Sequence, residues 1–465
     1  MLHAIFDRSP LILKRIMLNA VAFQNYNKRY NKDFSSSFEC FKNLWNAPIS
    51  EIETYQKKEL IKLLIECSTY SEWYKSIFLD LKISPSEIKE NPYKVLQKLP
   101  ILKKIERKEY VETIINKNPN RKIVGIGHTS GTSGLPMINY IDQATNTISF
   151  ALWKRFHHTL GFKTIHPKTV RFSGNIIIPV KQKKPPFWLY NNFEKQLYMS
   201  TYHMTNNNIP FYIKKINTFK PQLLDGYPSA IFNLANYINK NNITLKFIPK
   251  AIATTSETLY DEQRVEIEKA FKCKVYNQYA SSEGSPFITE CQKGNMHLNL
   301  DSGIFELLNE NYKPAKPGEI AKLVVTSLRN YKTPLIRYDI QDSVLLTMNS
   351  KKCECGCNMP FVEKIMGRED DLLIASNGSY IGMTAYKIFK YAEHINKAQI
   401  IQKNKNLFIV NVEVTDEFGI SDIEFLKNKV KGTFGDSSQI QINKVQSIPL
   451  GANGKYKAVI RDFKL

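Results

Sequence analysis

A short loop rich in small hydroxyl residues and glycine is the first segment whose composition suggests chemistry. Its residues are Thr129, Ser130, Gly131, Thr132, Ser133 and Gly134. Backbone N–H groups and hydroxyls in such a loop can converge on phosphate oxygens, and glycine permits close approach of the backbone. No Lys-Ser/Thr pair ends the loop, so it is not a Walker loop. The composition favours a phosphate site, and an ordinary polar surface loop is the alternative.

A second polar segment follows a short apolar run and contains Tyr279, Ser282 and Glu283. An aromatic ring can stack on a nucleotide base. A carboxylate four residues later supplies the oxygen ligand that Mg²⁺ prefers. The spacing therefore favours a nucleotide–Mg²⁺ site with Glu283 at the cation.

Cysteine and histidine occur together at two glycine-containing turns. The first turn carries Cys291 and His297, and the second carries Cys353, Cys355 and Cys357. Three thiolates and one imidazole from two turns can make a closed tetrahedral zinc site, which would be structural because no position remains for water. We expect Cys291, His297, Cys353 and Cys355 as the ligands, with Cys357 as a spare or a substitute. Free thiols in a cytosolic protein are the alternative.

These motifs, in this order, resemble those of the adenylate-forming (acyl-CoA synthetase-like) superfamily. Residues 129–136 resemble its phosphate loop, and residues 279–283 resemble its Y-x-x-[ST]-E segment. Tyr338 and Asp342 match the ends of its Y-R-T-G-D pattern. Two further segments complete the resemblance, the hinge-like G-R-x-D-D at 367–371 and the terminal P-x-x-x-x-G-K at 449–455.

Segments outside these motifs resemble one branch of the superfamily. Residues 53–56, 99–103, 186–188 and 198–204 look like the phenylacetate–CoA ligase-like branch and its CapK-like capsule-biosynthesis members. The sequence is therefore identified as a member of that branch.

The resemblance implies ATP, Mg²⁺ and a small carboxylic acid as ligands. It places Tyr279 on adenine, Glu283 at Mg²⁺, and Asp342 and Arg368 at the ribose. It also makes Lys455 the cation that neutralises the reacting carboxylate and α-phosphate. Ser282 and the 129–134 loop would complete the nucleotide site. Glu283, Arg368 and Lys455 are accordingly the predicted catalytic residues.

The acid would lie beside this nucleotide site. We expect His128, His203, Tyr227 and Ser256 to line its pocket, with a satisfied structural role as the alternative for each histidine. Activation would form an acyl-adenylate and release pyrophosphate. The acyl group would then pass to CoA or to an amine acceptor such as an amino sugar, with a role in surface polysaccharide synthesis.

Two departures from the family pattern stand out. Met137 follows Pro136 where many relatives have lysine, and residues 339–341 replace the usual Arg-Thr-Gly. A non-catalytic alternative is a basic, zinc-containing protein that binds nucleic acid or another partner. The ordered set of Glu283, Asp342 and Lys455 argues against it, since a binding scaffold needs no such set.

The elements that would position these residues form an α/β protein. We expect a helical region at 1–120, an ATP- and carboxylate-binding part at 121–367, and a small, mobile α+β lid at 368–465. Strands alternate with helices after residue 121, which favours a largely internal sheet. The expected strands are 169–180, 247–254, 275–279, 320–326, 398–402, 407–414 and 439–445; the expected helices are one from about 144, 229–240 and 421–431.

Composition sets wider bounds on the protein. With 465 residues, 43% of them hydrophobic, the chain can build more than one domain. The net charge of +22 is compatible with nucleic acid or an anionic membrane surface. The lysines are spread along the chain, however, so we expect no nucleic-acid partner. No apolar run reaches bilayer length, and the start reads as an amphipathic helix, which together indicate a cytoplasmic protein.

Overall fold

The N-terminal region is helical, as predicted. The computed structural model describes residues 9–128, 137–348, 352–368, 373–376, 380–381, 388–389, 392, 394–449 and 457–463. Its first helices are α1 (Leu11–Arg29), α2 (Phe34–Asn46), α3 (Ile49–Tyr70), α4 (Glu72–Asp80), α5 (Pro85–Glu90), α6 (Pro92–Lys98), α7 (Lys104–Glu109) and α8 (Val111–Ile114).

Helix α3 shows why this region folds as it does. Leu60, Leu63, Leu64 and Cys67 recur at helical spacing and are all fully buried on one face. That face packs into a core cluster that also contains buried residues of the later strands. The helical stripe therefore attaches the N-terminal region to the rest of the large domain.

A mixed sheet forms the centre of the molecule. Among the described residues it has nine strands in the order β14-β10-β9-β8-β7-β6-β3-β5-β4. The pairs from β5 through β3, β6 and β7 to β8 are parallel, and the flanking pairs are antiparallel. The strands are β3 (Thr169–Ser173), β4 (Trp188–Asn191), β5 (Gln196–Ser200), β6 (Leu223–Gly226), β7 (Ala251–Thr255), β8 (Val275–Tyr279), β9 (Ile288–Glu290), β10 (Met296–Leu298) and β14 (Phe361–Val362).

Helices cover both faces of this sheet. They are α9 (Gln143–Thr159), α10 (Ile209–Phe219), α11 (Pro228–Lys240) and α12 (Asp261–Phe271). Leu224 of β6, with Val170 and Phe172 of β3, belongs to a cluster shared with α10 and α11, whereas Leu223 of β6 belongs to a cluster shared with α9. The architecture is α/β, as predicted.

Two predicted strands are much shorter in the structure, the strand predicted at 398–402 begins earlier, at Ile395, and those predicted at 320–326 and 439–445 differ by one residue. The strand predicted at 169–180 ends at Ser173, and the segment after it contains Gly174 and Pro179. The strand predicted at 247–254 begins only at Ala251, after Pro249. Proline has no N–H to donate to a ladder, which agrees with the late start of the second strand after Pro249.

A second, antiparallel sheet follows in the order β11-β12-β13-β15. Its strands are β11 (Gly303–Leu308), β12 (Ile320–Ser327), β13 (Tyr338–Leu345) and β15 (Lys364–Arg368). A separate hairpin pairs β1 (Ile123–His128) with β2 (Ile138–Asp142). These two units carry the segments expected to bind nucleotide.

The C-terminal part contains its own small sheet, in the order β20-β19-β18-β21. The helix and strands of this C-terminal part are β16 (Leu373–Ile374), β17 (Tyr380–Ile381), β18 (Ile395–Gln402), β19 (Leu407–Val414), α13 (Ile420–Phe434), β20 (Gln439–Lys444) and β21 (Val459–Arg461). Phe408, Leu426 and Phe434 are at the centre of its core. The domain division at residue 368 stays a prediction. In the described part of the chain, none of the helices has the length and apolarity that crossing a membrane requires.

Candidate active site and metal centre

The hairpin of β1 and β2 holds both ends of the predicted phosphate loop. His128, the last residue of β1, pairs with Ile138 of β2. Residues 129–136, and with them the predicted ligands Thr129 to Gly134, lie outside the described residues, as does the side chain of His128. The hairpin register nevertheless fixes where the loop leaves and rejoins the structure.

Two asparagines connect strand β2 of this hairpin to the turn that carries Glu283. The Asn139 amide donates to the Ser282 carbonyl at 3.4 Å. The Asn330 amide donates both to Asn139 Oδ1 and to the Glu283 carbonyl, each at 3.1 Å. Strand β2 and the turn that carries the predicted Mg²⁺ ligand therefore belong to one hydrogen-bonded unit.

Glu283 is a buried carboxylate with an unsatisfied oxygen. The residue is 3% exposed, and its Oε2 atom has no hydrogen-bond partner among the described residues. Burial raises the pKa of its carboxyl group above the ordinary value, with Lys104 acting in the opposite direction. An orphaned carboxylate oxygen costs free energy, so it suits a bound hard cation or water.

Two neighbours of Glu283, Arg107 and Tyr338, are also buried polar residues. Arg107 is fully buried and donates only from Nη2, to the Ile138 carbonyl at 3.1 Å. Its Nε and Nη1 atoms are also buried without partners in the part of the chain described. Burial and the neighbouring Glu283 carboxylate raise the pKa of the Tyr338 hydroxyl well above its ordinary value. Arg107 and Tyr338 both act electrostatically on each other and on Glu283. The group therefore offers polar atoms of both signs to a ligand.

Tyr279 and Asp342 meet beside this group. The Tyr279 hydroxyl donates to Asp342 Oδ2 at 2.6 Å. Burial, with the neighbouring Asp342 carboxylate, raises the pKa of Tyr279 well above its ordinary value. Asp342 on β13 is the register partner of Arg368 on β15, whose side chain is not described. The two residues expected at the ribose are thus adjacent across one strand pair.

Two of the predicted acid-pocket residues, Tyr227 and Ser256, lie just after neighbouring strands of the large sheet. Tyr227 follows β6 and is 8% exposed, and Ser256 follows β7 in an exposed, left-handed conformation with φ of 72°. Both lie at the carboxyl end of the parallel strands, where ligands bind in open α/β sheets. Gly226 is the last residue of β6 and directly precedes Tyr227. It has no room for a Cβ atom, which would lie 1.8 Å from the Phe172 carbonyl oxygen.

His203 is a buried residue with both ring nitrogens occupied, which favours the structural alternative given for it. Its Nδ1 atom lies 2.8 Å from Ser200 Oγ, and its Nε2 atom lies 3.1 Å from the Pro179 carbonyl oxygen. Its ring stacks on Phe187 at 4.9 Å, and Phe187 belongs to the core on the α10/α11 side of the sheet. With both nitrogens occupied inside the protein, the ring has no group left for a substrate.

The predicted metal ligands come together from two distant turns. The ligand atoms of Cys291, His297, Cys353 and Cys355 all lie within 4.8 Å of one another. The Cys291 and Cys353 sulfurs are 3.6 Å apart, and Cys355 Sγ is 3.4 Å from His297 Nε2. Cys357 is buried, and its backbone N–H points to Cys355 Sγ at 3.4 Å. The four-residue set is the one expected, with Cys357 outside it.

The surroundings orient these ligands. His297 Nδ1 lies 2.8 Å from the Met359 carbonyl oxygen, which leaves Nε2 directed at the sulfurs. The Asn295 amide donates to Cys353 Sγ at 3.1 Å. Such outer contacts fix the imidazole tautomer and the thiolate position in metal sites. The donor chemistry and spacing therefore fit zinc.

Several residues of the candidate site have no clear sequence signal. Arg107, Asn139 and Asn330 are single polar residues in unremarkable segments, and only their burial around Glu283 distinguishes them. Lys455, in contrast, carries a motif but lies outside the described residues.

The chain is 33% identical to Protein CapK of Staphylococcus aureus over 474 aligned residues that cover 100% of both chains. The profile of the CapK C-terminal domain matches residues 373–462. A stretch of 144 residues, 30% of this chain and 34% of the relative, is 28% identical to the indoleacetate–lysine synthetase of Pseudomonas savastanoi.

Solved structures show the same fold. A 2-hydroxyisobutyryl-CoA ligase in its postadenylation state, bound to R3-HIB-AMP, has a TM-score of 0.69 at 17% identity and covers 90% of this chain and 91% of its own. An anthranilate CoA ligase bound to anthranoyl-AMP has a TM-score of 0.53 at 13% identity, covering 73% and 66%. The predicted CapK-like membership is confirmed: the chain belongs to the CapK family and has the fold of these solved CoA ligases.

Proposed function

We propose that this protein is an AMP-forming ligase that uses ATP and Mg²⁺ to adenylate a carboxylic acid. The observation that carries the proposal is the grouping of Glu283, Tyr279 and Asp342 beside the hairpin that holds the 129–136 loop. The solved ligases of the same fold contain acyl-AMP compounds, which agrees with this chemistry.

Each residue has a distinct task in the proposed site. The loop would donate hydrogen bonds to the phosphates, and the buried Oε2 atom of Glu283 would ligate Mg²⁺. That cation would neutralise charge on the phosphate oxygens as pyrophosphate leaves. Asp342, held by the Tyr279 hydroxyl, would accept hydrogen bonds from the ribose, and Arg368 would lie next to it.

The C-terminal part would act as a mobile lid in this scheme. Lys455 would approach the reacting carboxylate and α-phosphate during adenylation, where a point cation lowers the free energy of the transition state. Rotation of residues 368–465 would then withdraw it before acyl transfer. A hinge at Gly367 is supported by its left-handed backbone, with φ of 86°, which favours glycine.

The acceptor in the second step would be a thiol or an amine. One related structure is a ligase bound to CoA, and the name of the Pseudomonas relative joins an acid to lysine. The relationship to CapK favours a role in surface polysaccharide synthesis, with an amino sugar as the amine.

We also propose a structural zinc ion at Cys291, His297, Cys353 and Cys355. Each offers one atom to a common centre, and three of the four are buried. A site closed by four protein ligands leaves no position for reacting water. Its task would be to join the turn after β9 to the segment before β14.

The test of the main proposal is ATP–pyrophosphate exchange with Mg²⁺ across a panel of carboxylic acids. Exchange that depends on one class of acid is the expected result. Hydroxylamine trapping, followed by CoA or glucosamine as acceptor, would then separate a thiol from an amine. A protein that binds ATP but exchanges pyrophosphate with none of the acids would contradict adenylation of that panel, and DNA retention that weakens with salt would favour the binding-protein alternative.

A further inference from the structure

Lys154 is a buried cation without a counterion. The residue is 2% exposed, and its ammonium lies 5.1 Å from the Trp153 ring centroid and 5.9 Å from that of Tyr30. Within the described ranges its Nζ atom makes no hydrogen bond or ion pair. A buried charge in this state is costly unless a ligand supplies the partner.

The charges around Lys154 are otherwise balanced. Arg29 pairs with Glu194 at 2.9 Å, and Arg171 pairs with Asp225 at 2.5 Å. Burial lowers the pKa of Lys154 to about 8, with Glu194 and Asp225 opposing the change, so the ammonium persists at neutral pH. The cluster therefore contains one surplus positive charge.

His157 adds an independent sign of a missing ligand. It lies one turn after Lys154 on α9 and is 3% exposed. Neither ring nitrogen has a hydrogen-bond partner among the residues described. Burial, with Lys154 and Arg171 nearby, lowers the pKa of His157 well below its ordinary value, so the ring is neutral. A neutral imidazole can donate one hydrogen bond to an acceptor on a ligand.

The face of the sheet that α9 covers carries the other charged residues of this group. Arg171 is on the parallel strand β3, on the face opposite Val170 and Phe172, and stacks under Trp153 at 4.7 Å. Its side chain is 23% exposed, so solvent reaches this group. Across the sheet the register partners are Arg171, Asp225, Ala253 and Tyr276, and Ala253 packs with Trp153 and Tyr276.

This row lies below the proposed nucleotide site. Tyr276 and Gln278 lie on the same face of β8, whereas Tyr279 at the end of the strand points to the opposite face. A molecule whose carboxylate lies at the carboxyl end of β8, on the face of Gln278, can therefore extend between α9 and the sheet towards Lys154 and Arg171.

We propose that the acid substrate carries a second negative charge at its far end, which Lys154 binds with Arg171 beside it. This inference rests on the proposed adenylation. The chemical class is a dicarboxylic acid, or an acid with an equivalent anionic group. A neutral tail would leave the ammonium and the imidazole without partners.

The test measures the binding of acids to the protein without ATP. The fluorescence of Trp153 reports the binding. Glutarate, adipate and pimelate are titrated beside pentanoate, hexanoate and heptanoate, with Trp153→Phe to assign the signal. We expect the diacids to bind and Lys154→Met to weaken them about 30-fold, with the monoacids unaffected. Lys332→Met is the matched control, because that buried ammonium donates to the Asn116 carbonyl at 2.7 Å and should affect only the melting temperature.

The results separate this inference from the proposed function. Monoacids that bind as tightly as diacids, no binding by either series in calorimetry, or a Lys154→Met variant with unchanged diacid affinity would each overturn it. Pyrophosphate exchange with monoacids alone would overturn it while leaving adenylation in place. Diacid binding that depends on Lys154, without exchange for any acid, would support the pocket and overturn adenylation.

Discussion

The Tyr279 hydroxyl donates a 2.6 Å hydrogen bond to Asp342 Oδ2, which joins the carboxyl end of β8 to the middle of β13. Two motifs that are far apart in the sequence thereby become one site. The hydroxyl holds the Asp342 carboxylate in a fixed orientation. Tyr279 therefore contributes a hydrogen bond from its hydroxyl as well as an aromatic ring.

Removing that hydroxyl should weaken ATP binding. We expect Tyr279→Phe to raise the KM for ATP about tenfold with a smaller change in kcat, because a hydrogen bond to a charged group is lost. Combining it with Asp342→Asn should cost less than the sum of the two changes. Tyr312→Phe is the matched control, since Tyr312 donates to Asp339 on the same strand at 2.6 Å. An equal increase in both tyrosine variants would contradict a specific role for Tyr279.

The neutral variant Glu283→Gln should separate activity from stability. We expect about 10²-fold slower pyrophosphate exchange, because the anionic ligand of the cation is lost. The melting temperature should be unchanged or higher, since burial already disfavours the ionised carboxyl and raises its pKa. Glu290→Gln is the control: Glu290 pairs with Arg264 at 2.8 Å, so this change should lower the melting temperature and spare exchange. The reverse pattern would disprove the assignment.

The cysteine cluster makes a quantitative prediction about metal content. Elemental analysis should find about one zinc per chain, as expected for one closed site. Cys353→Ser should lose the metal and lower the melting temperature, because binding free energy contributes to folding. Cys357→Ser and Cys273→Ser should retain it, since neither belongs to the four-ligand set. Purified wild-type protein that is stable and free of zinc would remove the claim.

Lys455 should act in adenylation alone. We expect Lys455→Ala to slow pyrophosphate exchange about 10²- to 10³-fold, the scale for losing one group that stabilises transition-state charge. Transfer of the acyl group from a supplied acyl-adenylate should continue, and the melting temperature should stay the same. Lys457→Ala provides a nearby lysine for comparison. If Lys455→Ala exchanges pyrophosphate at the wild-type rate, the lid assignment fails.

The depressed pKa of Lys154 predicts how stability depends on pH. The folded value is about 8 and the ordinary value is 10.5, so between these pH values the unfolded chain binds more protons at this position. Stability should therefore rise with pH in that window. Burial is the main cause of the lowered pKa; Glu194 and Asp225 oppose it, and Arg171 and Arg29 add to it. Thermal melts at pH 7.5 and 9.5 should show wild type gaining relative to Lys154→Met; a constant difference would contradict the shift.

Local patterns were sufficient for much of the fold. The period of Leu60, Leu63 and Leu64 predicts a helix and its buried face, because helical geometry alone places them together. The strands at 275–279 and 407–414 also have the predicted bounds. Strand ends near Gly174 and Pro249 were predicted less well, since a ladder ends where its hydrogen-bond partners end.

The sequence by itself determined which residue types could bind a nucleotide or a metal, since each motif is contiguous and carries its own chemistry. Only the tertiary structure decided which of them meet. Cys291 and Cys353 converge because two separate turns pack together, and Arg107 becomes part of the Glu283 group only through burial. Folding places a partner beside each ring nitrogen of His203, whereas Lys154 Nζ has no hydrogen bond among the described residues. The role of a single polar residue therefore depends on its neighbours in the folded protein, which the sequence alone does not reveal.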